Sequence, residues 1–144
     1  MAETFVYQRK IGWADVDPAA IIFYPRYFEM FNATVEEWFD QALDYSYSQM
    51  STVDQTGVPA LSHHARYIEA TRMGDVVDFH LWLTDIKRAT FDVTIEGWCA
   101  GRKRVEVDMR LMFVTKEPLK AATIPDDLRA KMQRFLHAEA TTAV

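Results

Sequence analysis

Apolar positions recur along this chain with two different periods, and the switch between them lays out its elements. Thr4 to Trp13 alternates, with Phe5, Tyr7, Arg9, Ile11 and Trp13 on one face, and reads as a strand. Asp15-Val16-Asp17-Pro18 then breaks it, because proline disfavours helix at the residue before it. From Tyr24 the period becomes helical. Tyr24, Tyr27, Phe28, Phe31, Val35, Trp38, Phe39 and Ala42 follow i, i+3, i+4, i+7 spacing, with Arg26, Glu29, Glu36, Glu37, Asp40 and Gln41 opposite. Pro25 suits the first turn, where a missing N–H costs nothing. The stripe is wide and aromatic, so one side of this helix is expected to be deeply buried.

Residues 44–58 are polar and read as a loop or a short helix and turn. Ala60 to Glu69 is expected to be extended, and Met73-Gly74-Asp75 to turn. Three alternating runs follow: Val77 to Leu83, Phe91 to Gly97, and Val105 to Phe113, with Ala100-Gly101-Arg102 as a hairpin turn. Such a series predicts an antiparallel meander with one buried face. Asp126 to Leu136 predicts a short helix carrying Leu128, Met132, Phe135 and Leu136. The order is strand, long helix, four strands and a terminal helix, without repeats or linkers. One antiparallel sheet covering one aromatic helix is the economical way to give these elements a single core. The fold class is therefore α+β, in a single domain spanning 1–144.

Composition narrows the function. With 49% apolar, 13% aromatic, five Gly and five Pro, the chain is that of a globular domain. The longest apolar run, Ala19 to Tyr24, is far short of the roughly 18 residues a membrane span needs. No basic segment followed by an apolar core marks a leader at the start, and Cys99 is the lone cysteine, so a cytoplasmic location is expected. A net charge of −5 argues against a nucleic-acid partner. The charge is uneven, however. Residues 1–72 hold ten acidic and five basic side chains, whereas residues 73–144 hold eleven of each. Lys87-Arg88 and Arg102-Lys103-Arg104 are clusters, so a small anionic ligand remains compatible with the total.

The chemistry gathers between Trp13 and Phe28. Asp15 and Asp17 precede an apolar segment that leads into a helix N-terminus near Tyr24. Free N–H groups there can bind an anion or polarise a carbonyl oxygen. A carboxylate within reach of such an end is half of an acyl-transfer site. On spacing alone, an aspartate in a turn before proline is more often structural.

The run Asp-x-Asp-Pro-Ala-x-Ile-x-x-Tyr-Pro-x-Tyr, Asp15 to Tyr27, resembles the signature of the 4-hydroxybenzoyl-CoA thioesterase family of hotdog-fold proteins. The resemblance extends to Gly57-Val58-Pro59, Ser62, the Gly74-Asp75 turn and the basic hairpin before Phe91. It implies a hotdog fold, a long central helix wrapped by a curved antiparallel sheet. It implies hydrolysis of an acyl-CoA to free acid and CoA, with no metal and no cofactor. Asp17 is implied as the catalytic carboxylate, nucleophile or general base, and the Tyr24 N–H as the group polarising the thioester carbonyl. Sites between the subunits of a homodimer, with dimers joining into homotetramers, are also implied. Where this chain has Ala20 a glycine is usual, and Asn32 stands where the 4-hydroxybenzoyl enzyme has an acidic residue facing the acyl pocket.

Other candidates follow from that reading. Lys87 and Arg88 are candidates for the CoA phosphates. Phe23 and Phe31 are candidate walls of an acyl pocket, and Ser62 or His63 of the acyl or pantetheine channel. His63 and His64 face opposite ways on a strand and so do not form a metal pair. Arg102-Lys103-Arg104 reads as a solvated turn, and Cys99 as a small strand residue. Two further readings compete. A hotdog hydratase or dehydratase normally uses a histidine near the helix or its entry loop, and none occurs before His63. A noncatalytic acyl-CoA-binding protein is the other.

Overall fold

A computed structural model describes residues 2–137; Met1 and residues 138–144, the ends of the domain read from the sequence, lie outside it. Strand β1 (Phe5–Lys10) leads through a 3₁₀ turn (Trp13–Asp15) and a loop to helix α1 (Pro25–Glu37). The short α2 (Tyr47–Gln49) and β2 (Thr56–Gly57) follow. Then come β3 (Ala60–Tyr67), β4 (Val76–Ile86), β5 (Thr90–Cys99) and β6 (Arg102–Met112). The hairpin β7 (Val114–Lys116) and β8 (Leu119–Ala121) precedes α3 (Asp126–Gln133).

Five strands form one antiparallel sheet in the order β1-β4-β5-β6-β3, and β2-β7-β8 form a second. The meander expected from alternation is β4-β5-β6. Val77, Phe79, Leu81, Leu83, Phe91, Val93, Ile95, Val105, Val107, Met109 and Leu111 fill its buried face. Against them pack Tyr27, Met30, Phe31, Val35, Trp38 and Phe39 of the central helix. The helix therefore lies on one sheet face, the arrangement the hotdog resemblance implies. Gly97 permits this closeness: a Cβ there would come within 2.8 Å of Val105 Cγ1 and 3.1 Å of Phe79 Cε1.

Several expectations change. The first strand stops at Lys10, because the Asp15 carboxylate accepts from Gly12 N (2.9 Å) and Arg9 Nη2 (2.9 Å) and curls the chain into the 3₁₀ turn. Trp13 consequently leaves the core face and is 83% exposed. Helix α1 begins at Pro25, with Tyr24 at the N-cap, and passes at Trp38–Ala42 into a single π-helical turn closed by Leu43 N–H to Trp38 O (3.1 Å). The wider turn brings Leu43 into the core. Residues 44–58 hold α2, a second π-helical turn (Met50–Asp54) and β2. β2, β7 and β8 carry two or three residues each and have no readable period. No described helix is long and apolar enough to cross a membrane.

Candidate active site

The loop between Asp15 and Pro25 folds back on itself. Val16 and Ile22 form an antiparallel bridge, and Phe23 N–H donates to Asp15 O (3.0 Å). Within it, Ala20 N–H donates to Asp17 O (2.8 Å), closing a turn over Pro18 and Ala19, and Asp17 N–H donates to Ile21 O (3.0 Å). Pro18 sets the backbone for the second turn position. Ala20 is left-handed at φ 62°, which explains why glycine is usual there. The loop is strapped to the segment before β4 by Ile22 N–H to Thr71 O (2.8 Å) and Met73 N–H to Ala20 O (3.0 Å). Beneath the strap, Tyr27 of α1 donates its hydroxyl hydrogen to buried Thr71 Oγ1 (3.0 Å).

The two aspartates of this loop differ sharply. Asp15 is buried and consumed by Arg9 and Gly12, as expected for a structural residue. Asp17 is half-buried; its Oδ1 accepts from Ala19 N (2.8 Å), while Oδ2 has no partner and no basic side chain pairs with it among the described residues. One oxygen is thus held and the other is free to react. Eight residues on, Pro25 occupies the first helical position, so Tyr24 supplies the last amide before the helix proper. No hydrogen bond among the described residues uses that N–H. An unpartnered carboxylate oxygen and an unused helix-end N–H share one short, tightly bonded loop.

Beside Tyr24 lies a cleft of about 230 Å³, lined by Ile21, Ile22, Tyr24, Tyr27, Tyr67 and Ile68 among others. Its aromatic wall is continuous from Tyr24 to Tyr67 (6.1 Å between ring centres) and Tyr67 to Tyr27 (5.7 Å), and Phe23 packs on Tyr24 (5.8 Å) outside that lining. Burial pushes the Tyr27 phenol above the usual range, against the opposing bond to Thr71, so it stays a neutral donor. Tyr67 was not singled out from the sequence, although it alternates with His63 and Ala65 on the inner face of β3.

The remaining candidates scatter. His63 faces inward and sits edge-on to Phe28 (5.3 Å), on the helix side of the sheet. Asn32 is exposed about two turns along the central helix from Tyr24. Ser62 lies opposite Arg110 on the outer face, beside His64 and Asp108, so it does not line the cleft beside Tyr24 in its own chain. Lys87 and Arg88 stand at the β4–β5 hairpin, where Arg88 donates to Thr123 Oγ1 (2.9 Å) and Lys87 lies 3.8 Å from Asp85. Asp17 belongs to the opposite end of the sheet, where Met73 and Ala20 meet. β4 has 11 residues, so the length between them is about 33 Å. Within one chain the cations and the carboxylate are therefore far apart. Arg104 corrects the reading of a solvated turn: its side chain is only 12% exposed, donates to Ala70 O (2.7 Å), and lies 3.6 Å from Glu69 and 3.5 Å from Asp75. It ties down the segment that carries Thr71.

Comparison with known proteins fits this geometry. The profile of the thioesterase-like superfamily matches residues 11–132, most of the chain. The chain belongs to that superfamily. Thioester hydrolysis is the chemistry that membership carries, and the fold is the hotdog. Among solved structures, the chain is similar to a 4-hydroxybenzoyl CoA thioesterase mutant complexed with 4-hydroxybenzoyl CoA (21% identity, TM-score 0.84, covering 91% of this chain and 99% of that one). It is similar to a 1,4-dihydroxy-2-naphthoyl-CoA thioesterase from Synechocystis (18%, 0.83, 94% and 100%). It is also similar to a gentisyl-coenzyme A thioesterase (19%, 0.80, 87% and 99%). No curated protein matches the sequence.

Proposed function

We propose that this thioester hydrolase acts on acyl-CoA thioesters with a compact acyl group, aromatic and 4-hydroxybenzoyl-like or short, releasing the free acid and CoA. The observation that carries the reading is the pairing, in one loop, of the free Asp17 carboxylate oxygen with the unused Tyr24 N–H at the helix start. The Tyr24 N–H donates to the thioester carbonyl as it gains negative charge, aided by the helix dipole. Asp17 either attacks the carbonyl carbon, expelling the CoA thiolate to leave a mixed anhydride that water cleaves, or takes a proton from the water that attacks. In both routes one water is consumed, the C–S bond breaks, and the thiolate gains the proton. Phe23, Asn32 and His63 flank the acyl path. The hydroxylated aromatic acyl groups named for the three similar structures favour an aromatic substrate.

The enzyme works as a cytoplasmic homodimer that pairs further into a homotetramer. β3 is the proposed seam. It is the longer of the two free edges of the main sheet, and exposes Leu61 (52%) near its start and Tyr67 (47%) at its end beside the cleft. The β1 edge is shorter and ends on Lys10, a charge that discourages pairing. A two-fold axis through a shared edge makes the two β3 strands antiparallel, so opposite ends of the two sheets come together. Lys87 and Arg88 of one subunit then lie at the same end of the joined sheet as the Asp17 loop of the other, across the seam from it, and hold the CoA phosphates while the thioester lies at Asp17.

Thiol release from a panel of acyl-CoAs, comparing wild type with Asp17→Asn, tests the reading. The variant is expected to lose at least about 100-fold in kcat. Undiminished turnover removes Asp17 from the mechanism. Tight acyl-CoA binding with no turnover by the wild type makes the chain a binding protein instead.

A further inference from the structure

At the other end of the molecule a cavity of about 300 Å³ is bordered by Tyr47, Met50, Ser51, Val58, Pro59 and Lys116. Its volume lies at the lower limit of the roughly 300–1,000 Å³ usual for small-molecule sites, enough for one substituted ring and too little for a long chain. Met50, Val58 and Pro59 make it largely apolar. The Tyr47 ring packs on Phe39 (5.8 Å between centres). Its hydroxyl has no hydrogen-bond partner among the described residues, whereas Tyr27 is bonded to Thr71 and Tyr45 to Asp54 (2.7 Å) and Thr56 (2.9 Å). Burial, with Glu36 adding repulsion, pushes the Tyr47 phenol far above the usual range. It is therefore a donor at any working pH. The hydroxyl is not sealed from solvent, so a ligand oxygen that meets it in this apolar recess takes the place of a water.

Pro59 immediately precedes β3, and the Tyr24 cleft is lined by Tyr67 and Ile68 at the other end of that strand. Antiparallel pairing of two β3 strands sets the first end of one beside the last end of the other. The cavity of one subunit then opens beside the cleft of its partner. We propose that Tyr47 is a specificity-determining residue, its hydroxyl donating to an oxygen at the far end of a compact aromatic acyl group whose thioester lies at Asp17 and Tyr24 of the other subunit. This rests on the thioesterase reading and on the β3 seam, and it names the substrate class as an aromatic acyl-CoA with an oxygen remote from the thioester.

The experiment compares kcat/KM for 4-hydroxybenzoyl-CoA and benzoyl-CoA in the wild type, Tyr47→Phe and Ser51→Trp. The wild type is expected to favour the hydroxylated substrate by at least about 10-fold. Tyr47→Phe should lower kcat/KM for it by about 10- to 100-fold while benzoyl-CoA stays within about 3-fold. Ser51 is exposed, so Ser51→Trp is expected to fold and, by filling the cavity, to depress turnover of both aromatic thioesters. An unchanged substrate ratio in Tyr47→Phe overturns the assignment, as does full aromatic turnover by Ser51→Trp. Either result leaves the thioesterase reading standing. Absence of thiol release by the wild type from every CoA thioester sinks that reading itself.

Discussion

Asp15 and Asp17 are two residues apart and identical in chemistry, and their surroundings give them opposite work. Asp15 is spent on Arg9 and the Gly12 N–H; Asp17 keeps an oxygen in reserve. Arg9 feels both burial, which opposes its charge, and the nearby Asp15 carboxylate; the carboxylate prevails and its guanidinium is held above the usual range. Removing Asp15 leaves that cation half-buried and unpaired and frees the Gly12 N–H. Asp15→Ala is expected to destabilise the fold by about 2 kcal/mol. Asp17→Asn keeps an amide oxygen for the Ala19 N–H and should shift stability by no more than about 0.5 kcal/mol. Urea unfolding of the two variants beside wild type checks this, and equal losses would contradict the division of roles. At this scale the sequence was informative but ambiguous. The motif marked both aspartates, yet which one is left with a free oxygen depends on Arg9 pairing with Asp15 after a strand that ends sooner than its alternation suggests.

Elements were legible wherever a long face met one environment. β4, β5 and β6 alternate because one face lies under the helix, and α3 keeps its apolar stripe for the same reason. The π-helical turn at Trp38–Ala42 was not readable, because Trp38, Phe39 and Leu43 satisfy a four- or a five-residue spacing almost equally. Nor were β2, β7 and β8, which are too short to show a period and exist because neighbouring backbone pairs with them. The Ala100-Gly101 turn was expected, and its backbone adds a detail. Both residues have positive φ, 52° and 76°, the geometry of a two-residue hairpin whose twist matches its strands. Alanine is strained there and exposed. Ala100→Gly is expected to stabilise the protein by about 1 kcal/mol, net of the extra freedom glycine gives the unfolded chain. A higher midpoint in chemical denaturation with unchanged turnover is the expected result; a lower midpoint would show that the turn tolerates alanine at no cost.

At the scale of the whole molecule, the order β1-β4-β5-β6-β3 decides which candidates can meet, and order is what a linear pattern conceals. It puts Asp17 and Lys87-Arg88 at opposite ends of one sheet, some 33 Å apart along β4. If these cations hold the CoA phosphates, they serve a site on another subunit. Mixed oligomers separate the two arrangements. Asp17→Asn subunits and Lys87→Ala/Arg88→Ala subunits are each expected to be poor at low substrate concentration, one for want of its carboxylate and the other through a raised KM. Unfolded together and refolded at equal amounts, they assemble at random. A site drawing Asp17 from one subunit and its cations from another then receives both intact parts in about a quarter of cases, whichever neighbour supplies the cations. Activity should recover to roughly that fraction of wild type, with the wild-type KM. If the cations instead serve their own chain, no site in the mixture is complete and the activity stays at the average of the parents. Recovery would also require Asp17 and the β4–β5 hairpin to meet across a subunit boundary, which a monomer cannot provide.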